Sequence, residues 1–138
     1  MNSSQRRLII DLIVATNRLT RIAAVESGNT APASQWRILS VLDSDGPQRV
    51  GTLATALRIT QPAITQFVPQ LEAQHLLTRG HDPHDARATL LTITDEGRIA
   101  LNDWKSELGG AIAPLLGDLT DEDWAALERT ATIIGGAA

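Results

Sequence analysis

The sequence predicts a mainly α-helical fold with a small β-hairpin, and three observations lead there. Apolar residues recur at helical spacing through six separate segments of the 138-residue chain. Only DPHDARATLLTIT, residues 82–94, changes period: Leu91 and Ile93 alternate with Thr92 and Thr94 behind a Pro- and Asp-containing turn. The length suits one domain, or one core plus helices that complete themselves on a partner.

The elements follow in order. Leu8, Leu12, Ala15, Leu19 and Ile22 form one stripe of a first helix, which Ile9, Ile13 and Val14 widen beyond the needs of one domain face. The loop ESGNTAPAS, residues 26–34, follows, with Ser34 expected to cap a second helix through Trp36, Leu39 and Leu42. DSDGP, residues 43–47, ends that helix in a turn, and VGTLATAL, residues 50–57, makes a short third one. Thr60 caps a fourth, TQPAITQFVPQLEAQHL, whose buried stripe is Ile64, Phe67, Val68 and Leu71. Pro62 lies in its first turn, where a missing N–H matters little, whereas Pro69 should kink or end it. After the hairpin, Thr94 caps a helix carrying Leu101, Trp104, Leu108, Ile112 and Leu115, with Gly109 and Gly110 favouring a bend. A last helix starts at Thr120, has acids near its positive end, and carries Trp124, Leu127, Ala131 and Ile134.

Composition removes several function classes. Without cysteine there is no thiol nucleophile, disulfide or thiol-based redox sensor. Tyr is absent, the three histidines cluster around one turn, and GGAIAPLLG lacks the lysine of a phosphate loop, so no catalytic set or cofactor site is expected. Arg6, Arg7, Asp11, Arg18 and Arg21 make the first helix neither a signal peptide nor a membrane span, and the expected location is the cytoplasm. The net charge of −4 is uneven. Residues 1–34 sum to +2, residues 35–94 to zero and residues 95–138 to −6, which leaves the middle free to approach a polyanion.

Two short helices joined by a tight link, then a hairpin, describe a winged helix-turn-helix, and the chemistry of the fourth helix fits one. Its first turn offers Thr60, Gln61, Pro62, Ala63, Thr65 and Gln66. Glutamine pairs bidentately with adenine, and Thr and Ala methyls contact thymine methyls in a major groove. An arginine at a hairpin tip, Arg87, is suited to a narrow minor groove, with Asp85 holding its guanidinium in place.

At these residues the sequence resembles the MarR family of bacterial transcription regulators. The resemblance lies in Asp85, Arg87, Leu91 and Thr94 and in the TDEG that follows, with Ile93 in place of the usual Leu. SQWRIL, GTLATAL, ITQPAIT and LEAQHLLTR fall, in order, where the family has its second, third and recognition helices and its first wing strand. The resemblance implies a lobe over residues 34–97, flanked by dimerisation helices in 1–33 and 98–138. It further implies an obligate homodimer that presents two recognition helices about 34 Å apart to an inverted repeat in double-stranded DNA. A small-molecule effector is implied as well, and Trp36 and Trp104 lie on helices bordering the family's effector pocket. The sequence departs from the family at Ala86 and Gln66, where arginines are common, and at Pro69.

Plainer readings stand beside these. Arg87 could be a solvated strand residue, and Gln61, Thr65 and Gln66 an ordinary polar helix face. HDPHD has the ligand types for a metal, which makes a metal- or pH-responsive regulator acting through His81 and His84 one alternative; five residues in one turn nevertheless seldom converge on an ion, so no metal site is expected. His75 reads as a helix C-terminal or packing residue. A winged-helix protein-interaction module without DNA binding is the other alternative.

Overall fold

The computed structural model describes residues 1–29 and 31–136. Thr30, in the expected linker, and Ala137 and Ala138, at the end of the expected C-terminal segment, lie outside the described residues. The chain runs α1 (Ser3–Glu26), α2 (Ala33–Asp45), β1 (Gln48–Arg49), α3 (Val50–Leu57), α4 (Gln61–Ala73), β2 (Leu77–Asp82), β3 (Asp85–Ile93), α5 (Asp95–Leu116) and α6 (Asp121–Gly135). Among the described residues no helix is long and apolar enough to cross a membrane.

Contacts divide the chain into two compact units, Gly28–Glu107 on the one hand and Met1–Ser27 with the segment from Leu108 on the other. The first unit holds the core. Ile38, Leu39, Leu53, Ile64, Leu91 and Leu101 are each fully buried there. Each such side chain contributes about 1.5–3 kcal/mol relative to exposure. Leu101 belongs to α5, and Trp104 packs against the same core, so this unit runs past the boundary expected at residue 97.

The sheet has three antiparallel strands in the order β1-β3-β2. Leu77 pairs with Ile93 at the base of the wing and Asp82 with Asp85 at its tip, with Pro83 and His84 forming the turn. β1, paired through Gln48 to Leu91 and Arg49 to Leu90, was not expected. Two residues are too few to show alternation, and only pairing with β3 makes them a strand.

Capping differs from expectation once. Ser34 does not cap α2: the helix starts at Ala33 and Pro32 holds the N-cap position, without a side-chain cap bond. Pro32, locked at φ −58° and extended in ψ, already directs the chain into the first turn, and its carbonyl accepts from the Gln35 N–H. Thr60 does cap α4, accepting from the Ala63 N–H at 3.3 Å. Thr120 caps α6 in a reciprocal box with Asp123.

Pro69 does not end α4, which continues to Ala73. Pro69 is exposed while Ile64, Val68 and Leu71 bury the opposite face, and that packing outweighs one missing backbone bond. α5 likewise runs unbroken through Gly109 and Gly110.

Two helix ends use non-glycine residues in the left-handed region, Arg58 at φ 54° and His75 at φ 60°. At each, paired bonds close the turn: Arg58 N to Thr55 O with Ile59 N to Ala54 O, and His75 N to Glu72 O with Leu76 N to Leu71 O. These are Schellman closures, and they set the directions in which α3 hands over to α4 and α4 to the wing.

The second unit is built differently. Only Ala23 of α1 is buried and no residue of α6 is. Leu8, Ile9, Ile10, Ile13 and Val14 are 47–69% exposed, and Trp124, Leu127, Ile133 and Ile134 also face outward.

Candidate nucleic-acid interface

The expected reading residues lie on one helix start. Thr60, Gln61, Pro62, Thr65 and Gln66 are exposed at the N-terminal end of α4, while Ala63 is half-buried. Thr65 donates its hydroxyl to the Gln61 carbonyl at 3.0 Å. That back-bond occupies the hydroxyl proton and leaves an acceptor and a methyl for a partner. Gln61 rests beside α3: a Cβ built at Gly51 would lie 3.2 Å from its Nε2, so Gly51 leaves room for this amide.

Several contacts hold α4 in the lobe. Gln35, 3% exposed on α2, donates through Nε2 to Gln70 Oε1 at 3.0 Å. Arg37 of α2 donates to the Leu57 carbonyl at the end of α3 at 2.9 Å, satisfying an acceptor that the helix leaves open. Arg79 of β2 forms a two-pronged pair with Glu72 of α4, at 3.1 and 2.9 Å. This pair holds the Glu72 carboxyl below its ordinary range, chiefly through the Arg79 side-chain hydrogen bond. It ties the far end of α4 to the wing.

At the wing, Arg87 extends into solvent with its side chain 92% exposed. Asp85 Oδ1 accepts from the Arg87 backbone N–H at 3.0 Å and from its Nε at 3.3 Å. One carboxylate thus fixes both the backbone and the root of the guanidinium, leaving the terminal nitrogens outward. Asp82 performs a comparable task one turn earlier and is the residue that sequence reasoning missed, having been weighed only as a metal ligand. It is 9% exposed, accepts from Arg49 Nε at 2.7 Å through Oδ2 and from the His84 N–H at 2.8 Å through Oδ1. These bonds, the one from His84 first, lower its pKa. The Asp-Pro dipeptide announces an Asx turn, but nothing local announces Arg49, 33 residues away. His81 and His84 are exposed, and no group of three His, Asp or Glu able to hold a metal occurs among the described residues.

Trp36 and Trp104 come together as a stacked pair, with ring centroids 5.2 Å apart and planes 13° apart. Trp36 is 8% exposed, and its indole N–H is buried without a hydrogen-bond partner among the described residues. Thr94, besides capping α5 through the Gly97 N–H, donates to the His75 carbonyl and so closes the base of the wing against the end of α4.

A helix entered through a left-handed turn, α4, a three-stranded sheet and an arginine-tipped hairpin together define a winged helix-turn-helix lobe. Residues 32–89 match the model of the MarR family. Among curated relatives the chain is 28% identical over 102 residues to the HTH-type transcriptional repressor MdtR of Bacillus subtilis, covering 74% of this chain and 65% of MdtR. The chain thus spans just under two thirds of that relative's length. The transcriptional regulator BldR of Sulfolobus solfataricus has a similar structure, with a TM-score of 0.68 at 26% identity over 98% of this chain and 99% of BldR. BpsR of Bordetella bronchiseptica, whose DNA binding is regulated by 6-hydroxynicotinic acid, matches at TM-score 0.65 and 23% identity over 90% of this chain and 89% of its own.

Proposed function

We propose that the chain acts as a homodimeric repressor that binds a pseudo-palindromic operator and releases it when a small-molecule effector binds. The observation that carries the DNA reading is the combination of two exposed elements in one compact unit. One is the Thr60-capped helix start with Gln61, Thr65 and Gln66; the other is the wing with Arg87 held outward by Asp85. The first suits base edges in a major groove, the second a minor groove next to it. With Gln66 and Ala86 in place of basic residues, few charges face the phosphates, so affinity should rest more on shape and hydrogen bonds than on counterion release.

Dimerisation draws support from α1 and α6, whose exposed Leu8, Ile13, Trp124 and Leu127 make apolar faces that a monomer leaves in water. A second copy related by a two-fold axis would cover such faces with their own counterparts. The name of MdtR supports repression, and BpsR supports an aromatic effector. In this chain the stacked Trp36–Trp104 pair, with a buried unpartnered N–H, suits a flat ligand carrying a hydrogen-bond acceptor.

The test is binding to duplex DNA from the gene's own upstream region across a salt series, for wild type and Arg87→Ala. Wild type should protect a palindromic site, and the variant should lose affinity with a salt slope shallower by about one. Absence of specific wild-type binding at low salt would sink the DNA reading. Ligands are then screened on the complex, with 6-hydroxynicotinic acid as first probe and tryptophan fluorescence as readout.

A further inference from the structure

Asp82 stands at a place where the backbone alone cannot hold the wing. The register of β2 against β3 breaks between His81 and Asp82, one residue before the turn. Beyond that break, Pro83, His84, Ala86 and Arg87 are exposed, so the tip that presents Arg87 has little packing of its own. The Asp82 carboxylate replaces what the ladder loses. One oxygen closes the turn through the His84 N–H, and the other reaches Arg49 at 2.7 Å. Arg49 lies on β1 and is the N-cap residue of α3, the first helix of the helix-turn-helix. A single nearly buried carboxylate therefore joins the wing turn to the chain just before the helix-turn-helix.

We infer that Asp82 is a positioning residue for DNA recognition: through Arg49 it fixes the direction of the wing, and with it Arg87, relative to the helix-turn-helix. The inference rests on the DNA-binding reading above and adds to it a residue that touches no DNA. Both Asp82 oxygens are already engaged, which also sets this role apart from metal binding with His81 or His84. A charge-assisted bond to a nearly buried acceptor is directional, as holding an exposed tip requires. Asp85 secures the arginine to the wing, and Asp82 secures the wing to the lobe.

Asp82→Asn separates the two halves of the clamp, since its amide oxygen can still accept from His84 while its charge pairing with Arg49 is gone. Operator affinity is measured for wild type, Asp82→Asn, Arg87→Ala and the double variant, with thermal melting of each alongside. Backbone ¹⁵N relaxation is recorded at residues 83–88 of the free proteins, including Arg49→Gln, which breaks the same pair from its half-exposed side. The expected result is a loss on the order of tenfold from Asp82→Asn when Arg87 is present and less than about twofold when it is absent. Order parameters at the tip should fall from about 0.85 to below about 0.6 in both Asp82→Asn and Arg49→Gln. Equal losses with and without Arg87 would overturn the inference, because Asp82 would then act on the fold as a whole. An unchanged tip would overturn it too. If wild type bound no operator, the DNA reading would fail, and the relaxation data would still decide whether the clamp orders the wing.

Discussion

Gly97 packs directly on the carbonyl oxygen of Leu76. A Cβ built at that position would overlap this oxygen and come within 2.8 Å of Ile93 Cγ1. The same carbonyl accepts from the Thr94 N–H, and Thr94 Oγ1 caps the Gly97 N–H, so α5 starts pressed against the end of α4. Gly97→Ala should therefore destabilise the protein by about 1–3 kcal/mol, the range for forcing a methyl into a packed site. Urea denaturation checks this, and an unchanged midpoint would mean that the junction can open at no cost.

Arg58 occupies a left-handed position that an L-residue enters at a cost of roughly 1 kcal/mol. Arg58→Gly should raise stability by up to about that amount, partly offset by the greater freedom of glycine in the unfolded chain. The denaturation midpoint gives the sign directly. Operator affinity measured in parallel shows whether the Arg58 charge also serves the DNA.

The Trp36–Trp104 stack leads to two unlike expectations. Trp104→Ala should cost about 2–3 kcal/mol, less than a fully buried tryptophan because Trp104 is only partly covered. Trp36→Phe keeps a ring in the stack and deletes the unpartnered N–H, so it should cost under about 1.5 kcal/mol despite the lost volume. If Trp36→Phe proved as damaging as Trp104→Ala, the N–H would have a partner in solution.

Acid should weaken the wing through Asp82. Its folded pKa lies below the ordinary aspartate value of 3.8, first through the His84 N–H and then through Arg49, with the His84 and Arg49 charges adding to the effect. A depressed folded pKa contributes stability that is complete above the unfolded value and is lost as pH falls through the folded one. Wild type should thus exceed Asp82→Asn in stability near neutral pH, and the difference should shrink below 3.8. Denaturation midpoints for the pair from about pH 7 to about pH 3 test the sign. A difference that grew in acid would contradict it.

Sequence periodicity alone was enough for six helices, a hairpin and the order in which they come, because alternation of apolar residues at 3.6 or 2 positions reports which face each segment must bury. Thr60 and Thr94 were legible as caps for a related reason: a helix start makes its hydrogen bonds within three residues. Arg87 beside Asp85 was legible too, as the pair is local. What lay out of reach depended on residues distant in the chain. β1 is a strand only because β3 lies alongside it, and Pro69 is tolerated only because the opposite face of α4 is buried. Gln35 with Gln70, Arg79 with Glu72, Arg49 with Asp82, and Gly97 against Leu76 all join segments that no short window contains. A side chain's spacing tells which way it faces; only the folded chain brings its partner within reach, and the direction of the wing depends on such partners.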